Sequence, residues 1–132
     1  MTTPPLRRTS ATVCFVLVAL GSAACTADDT NPAKSILTLS VSPQAPGSAG
    51  TRIALTCEPT GGEHPAADAA CAALTAADGD FDKLAGDPTA VCVQVYEPVT
   101  AIATGTWRGR SVTWEKTFGN KCELSARTTP VF

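Results

Sequence analysis

Cys92-Val93-Gln94-Val95-Tyr96-Glu97-Pro98 is an extended stretch, with β-branched valines on both sides of a glutamine. A cysteine marks one end, and a proline, whose ring locks φ, stiffens the other. Two readings follow. The heptapeptide is either an ordinary strand leading into the next one, or a segment held still so that its Gln94–Val95 peptide bond lies as a substrate would along a protease cleft. The rest of the chain decides between them.

The first 24 residues have the form of an export signal. Arg7 and Arg8 form a positive head, Ala11 to Leu20 an apolar run, and Gly21-Ser22-Ala23-Ala24 a cleavage region of small residues. That apolar run is far short of the roughly 20 residues that span a bilayer. Small residues followed directly by Cys25 resemble the lipobox of bacterial lipoproteins, although Ser22 stands where leucine is usual. Loss of the signal removes Cys14 and leaves Cys25, Cys57, Cys71, Cys92 and Cys122, an odd number for an exported chain. If the last four pair, Cys25 is the spare and becomes the candidate lipidation site. The expected location is therefore extracellular, either released or lipid-anchored on the outer face of the cell membrane.

Residues 25–34 are too polar to bury a core and form a tether, with Asp28, Asp29, Asn31 and Pro32 among them. A single domain is expected over residues 35–132. From Cys25 onward, eight Lys and Arg stand against twelve Asp and Glu, a net charge of −4. No basic stripe exists to hold a nucleic acid.

Within the domain, Ser35 to Val41 alternates through Leu39 and Val41, and Arg52 to Cys57 alternates through Ile53, Leu55 and Cys57. Both read as strands, paired as a hairpin across the Pro/Gly-rich loop between them. His64-Pro65 opens a helix that runs through Ala- and Leu-rich sequence to Ala77, where Asp78-Gly79 stops it. Asp80 to Leu84 makes one helical turn. Val99 to Thr106 and Ser111 to Phe118 form a long hairpin around Arg108-Gly109-Arg110. Asn120 caps a short helix through Ala126, and Thr128 to Phe132 is expected as a last edge strand. Strands of unequal spacing with inserted helices indicate an α+β fold, an antiparallel sheet with helices on one side.

Catalysis has few resources here. His64 is the sole histidine, so any Ser-His-Asp or Cys-His arrangement would depend on a residue whose position suits a helix start. The domain cysteines lie 14, 21 and 30 positions apart with no C-x-x-C pair, which indicates disulfides rather than zinc. Asp78, Asp80, Asp82 and Asp87 lack the ligand order and closing glutamate of an EF-hand. No catalytic residue, metal or cofactor is expected. Four cysteines allow three pairings. A strand-to-helix bridge Cys57–Cys71 with Cys92–Cys122 suits the element order best, and the second would lie two residues from Gln94–Val95.

Three blocks carry a resemblance to a known family. They are Leu55-Thr56-Cys57-Glu58-Pro59 with His64-Pro65-Ala66-Ala67 and Ala70-Cys71-Ala72-Ala73-Leu74, then Gly79-Asp80-Phe81, then Cys92 with Val95-Tyr96-Glu97-Pro98-Val99. The last block continues as Trp107-x-Gly109-Arg110-x-Val112-Thr113-Trp114-Glu115-Lys116-x-Phe118-x-Asn120-x-Cys122. In these the chain resembles the Streptomyces subtilisin inhibitor-like family of secreted serine-protease inhibitors. The resemblance implies a five-stranded antiparallel sheet with two helices, the bridges Cys57–Cys71 and Cys92–Cys122, and a homodimer formed by sheet packing. It also implies an inhibitory bond at Gln94–Val95 and an extracellular subtilisin-like protease as partner, met by Val91, Val93 and Tyr96 beside Gln94. Family members often carry proline where this chain has Val93, and Met, Lys or Arg where it has Gln94. A lipid-anchored binding module on the same scaffold, without inhibition, is the alternative.

Overall fold

The computed structural model describes residues 33–132. The signal segment, Cys25 and all of the tether except Ala33 and Lys34 lie outside the described residues.

Five strands form one antiparallel sheet: β1 (Ser35–Pro43), β2 (Thr51–Cys57), β3 (Gly61–Gly62), β4 (Val99–Trp107) and β5 (Arg110–Phe118), in the order β3-β2-β1-β4-β5. Alternation decides which face each strand turns inward. In β1 the buried positions are Ser35, Leu37 and Leu39, while Ile36 between them stays half exposed. Leu39 lies opposite Ile53 on β2 and Ala103 on β4, so the register stacks apolar side chains on one face. Two helices, α1 (Ala67–Ala76) and α2 (Lys121–Thr128), and a 3-10 turn at Phe81–Lys83 complete the elements.

Ala70, Cys71 and Leu74 of α1 close the larger core over Leu37, Leu39, Leu55 and Trp107, with Phe81 and Val131 joining them. Burial of each Leu contributes about 1.5–3 kcal/mol. A smaller cluster joins Leu124 of α2 to Val99, Ala101 and Phe118, fixing α2 at the end of the sheet where β4 begins. Cys57–Cys71 ties β2 to α1, and Cys92–Cys122 ties the segment before β4 to α2. The expected fold class and both bridges are present.

Three local expectations change. The helix begins at Ala67 rather than Pro65, because the His64 ring takes the Ala66 N–H through Nδ1 at 3.0 Å and holds a turn there. Thr128–Phe132 is not a strand. Helix α2 runs to Thr128, and Pro130 has no N–H to place in a ladder. The fifth strand is instead Gly61–Gly62, two residues pairing with Thr56 and Leu55 where only a turn was expected. The β4–β5 hairpin closes through Arg108-Gly109 alone, both with positive φ (46° and 80°), the backbone of a tight two-residue hairpin turn.

Candidate functional site

Residues 90–98 have neither helix nor strand, so the heptapeptide is a loop and not the strand of the alternative reading. Its apolar side chains point outward: Val91 is 93% exposed, Val93 73%, Val95 49% and Tyr96 82%. Among the described residues, Ile36 is the only other large apolar side chain so exposed. Exposed apolar area concentrated in one loop marks a contact surface. Gln94, also exposed, stands at its centre, at the corner of a three-residue turn closed by Val95 N–H to Val93 O at 2.9 Å.

The loop is exposed yet held from below at several points. Cys92 is bridged to Cys122, with 5.6 Å between the Cα atoms. Asn120 caps α2 by accepting the Glu123 N–H on Oδ1 at 2.9 Å. That leaves its amide Nδ2 as donor, and it reaches Val95 O at 2.8 Å and Val93 O at 3.3 Å. The carbonyls on both sides of Gln94 are thus held by one side chain. Among the described residues, no hydrogen bond engages Gln94 itself. Downstream, Glu97 N–H donates to Gly119 O (2.9 Å) and Gln44 N–H to Pro98 O (3.0 Å).

Upstream, Asp87 N–H donates to Ala126 O of α2 (2.9 Å). The Asp87 carboxylate accepts from the Thr89 hydroxyl (2.6 Å) and the Thr89 N–H (2.9 Å). These contacts, the hydroxyl first, hold its pKa below the usual aspartate value. The Asp87-Pro88-Thr89 order is a turn signal that marks this anchor in the sequence, and Asn120-x-x-Glu123 is likewise a capping signal. The Gly119 and Gln44 contacts have no such signal, since backbone groups donate or accept whatever the residue.

The other chemistry-bearing residues serve the fold. His64 is positioned away from the loop: with Nδ1 accepting, Nε2 carries the proton toward Val131 O at 3.0 Å. Asp78 pairs with Arg110, Asp82 with Lys116 and Asp80 with Lys83. Glu58 is bonded twice by Arg108, which lowers the carboxyl pKa and raises that of the guanidinium. Trp107 is buried against Gly79, and Trp114 stacks on Phe81 with ring centroids 5.3 Å apart.

This architecture has known relatives. The family profile described as subtilisin inhibitor-like matches residues 33–120. Subtilisin inhibitor-like protein 3 of Streptomyces coelicolor is 44% identical over 103 residues, covering 76% of this chain and 96% of that protein. Subtilisin inhibitor-like protein 5 of Streptomyces fradiae is 49% identical over 81 residues, 61% of this chain and 76% of that one. Among solved structures, Streptomyces caespitosus sermetstatin, crystallised in complex with Bacillus licheniformis subtilisin, superposes with a TM-score of 0.64 at 38% identity. The match covers 74% of this chain and 96% of that one. With two thirds of its length matched by the family profile and nearly the whole of a relative covered at 44% identity, the chain belongs to the subtilisin inhibitor-like family.

Proposed function

We propose that this protein inhibits subtilisin-like serine endopeptidases by presenting Gln94–Val95 as the scissile bond. The observation that carries the reading is an exposed loop whose two carbonyls flanking Gln94 are both held by Asn120. Gln94 enters the primary pocket of the protease, Val93 and Val91 occupy the neighbouring subsites, and Tyr96 lies on the leaving side. The catalytic serine adds to the Gln94 carbonyl, and loss of the Val95 amine leaves an acyl-enzyme. Cys92–Cys122 and the Gly119–Glu97 contact keep the two ends together, so the amine returns and remakes the bond faster than water hydrolyses the ester. Preorganisation also lowers the entropy lost on binding, which determines affinity more than area does. The protein is the ligand of an enzyme and has no catalytic role of its own.

The test is inhibition of subtilisin by the disulfide-bonded domain, with any cleavage site located by mass spectrometry. Subtilisin should be inhibited well and trypsin poorly, because uncharged Gln94 does not satisfy a pocket built for Lys or Arg. Gln94→Lys should bring trypsin inhibition up. A Gln94→Lys variant that leaves trypsin untouched removes Gln94 from the primary position, and a folded domain without inhibition would favour the binding-module alternative.

Two features extend the reading. Lipid attachment at Cys25 is supported by parity, since the two bridges use all four domain cysteines. Homodimerisation is supported by the outer face of the sheet, where half-exposed Ile36 lies among threonines such as Thr38, Thr104 and Thr106. Sedimentation of the domain tests the second, with Ile36→Glu expected to yield monomers.

A further inference from the structure

We propose that Glu123 is a positioning residue for the reactive loop, acting through the Gly119-Asn120 segment. The inference rests on the reading of Gln94–Val95 as the reactive bond. The contacts nearest Gln94–Val95 come from two consecutive residues: Gly119 O takes the Glu97 N–H, and the Asn120 amide takes Val95 O and Val93 O, with Gln44 holding Pro98 farther on. Neither residue belongs to a regular element, since β5 ends at Phe118 and α2 begins at Lys121. Something must keep them in place.

Glu123 does so from both of its ends. Its N–H donates to Asn120 Oδ1 (2.9 Å), which turns the Asn120 Nδ2 toward the loop. Its carboxylate accepts the Gly119 N–H (3.0 Å) and thereby orients the Gly119 peptide. In the usual capping box the third helical residue returns to the N–H of the cap itself. Here it reaches one residue farther back, to the residue whose carbonyl holds the loop. Space for this is made by glycine: a Cβ at position 119 would lie 2.8 Å from the Glu123 carboxylate oxygen. Glu123 therefore needs no contact with the protease or with Gln94 to govern how long the cleaved ends stay aligned.

Glu123→Ala removes the carboxylate, Gly119→Ala displaces it, and Glu123→Gln retains an acceptor of the same reach. Each variant is assayed well below its own unfolding midpoint, so that loss of stability does not enter. One readout is amide hydrogen exchange at Glu97 in the free protein, with the core amides of β1 as control. The other is the rate of cleavage at Gln94–Val95 under excess subtilisin. Both rates should rise about tenfold in Glu123→Ala and Gly119→Ala, the size of one charged hydrogen bond. Core exchange in β1 should hold steady, and Glu123→Gln should behave as the parent. Unchanged Glu97 exchange in Glu123→Ala, or failure of Glu123→Gln to rescue it, overturns the positioning role. Absence of cleavage between residues 94 and 95 in the parent and every variant overturns the reactive-bond reading instead, so the two claims fail separately.

Discussion

Gly79 shows how one residue links helix, turn and core. It follows Asp78 at the end of α1, both have positive φ (74° and 52°), and its N–H closes the helix on Leu74 O at 2.8 Å. A Cβ there would lie 2.3 Å from Cδ1 of Trp107, which is 1% exposed and has nowhere to move. Gly79→Ala should therefore combine left-handed strain with overpacking, at about 3 kcal/mol. Urea unfolding should show a lower midpoint with an unchanged slope. An unchanged midpoint would mean that the Trp107 ring yields at little cost. Gln94 is the opposite kind of residue. Among the described residues no hydrogen bond of the fold engages its side chain, which leaves it available for the role proposed above.

Between elements, the two disulfides have unequal tasks. Each closes a loop whose chain-entropy effect is on the order of 3–4 kcal/mol. Cys57–Cys71 lies in the core between β2 and α1, whereas Cys92–Cys122 holds the loop two residues before Gln94. Replacing Cys92 and Cys122 together by Ala should convert a durable inhibitor into a substrate cleaved at Gln94–Val95, assayed where the variant is still folded. Replacing Cys57 and Cys71 should lower the melting temperature and leave inhibition by the folded fraction intact. Equal durability in both double variants would reduce the second bridge to a staple.

Acid sensitivity belongs partly to contacts between elements and partly to local turns. Arg108 on the β4–β5 turn depresses Glu58 after β2, Lys116 on β5 depresses Asp82 on the 3-10 turn, Lys83 depresses Asp80, and Thr89 depresses Asp87. A carboxyl depressed in the folded state adds stability above its unfolded pKa and loses it as pH falls through the folded value. Stability from these groups should thus be level at neutral pH and decline below the ordinary values of 4.5 for Glu58 and 3.8 for the aspartates. Glu58→Gln should flatten part of that slope in a pH series of urea midpoints. A slope that Glu58→Gln leaves intact would assign the acid sensitivity elsewhere.

Across the whole domain, the chain enters at one end of the sheet and the loop stands at the other. Ser35 begins β1 opposite Cys57, and Pro43 ends it opposite Val99, where the loop rejoins the sheet. Eight residue steps at about 3.3 Å each separate Ser35 from Pro43 by about 26 Å. An N-terminal anchor is therefore compatible with protease docking. If Cys25 carries lipid as proposed, the native protein should fractionate with membranes, inhibit soluble subtilisin while bound there, and be released or left unprocessed by Cys25→Ser. Native protein found wholly in the medium, beginning beyond Cys25, would end the anchored form of the proposal.

The sequence by itself determined the faces of β1 and β2, the stop of α1 at Asp78-Gly79, the Asn120 cap and the presence of a held segment at Cys92–Pro98. These are local matters: side-chain periodicity, glycine at positive φ and a short polar side chain each act within a few residues. Family-specific blocks reinforced the disulfide pairing and led to the proposal of Gln94–Val95 as the reactive bond. Only the tertiary structure decided that β4 inserts beside β1, that Gly61–Gly62 is the fifth strand, and that Val131, after the second helix, is buried in the core. It also decided that Gly119 O and the Asn120 amide meet the backbone on either side of Gln94. Backbone donors and acceptors are the same at every residue, so which of them meet depends on how distant segments pack, and no local pattern records it.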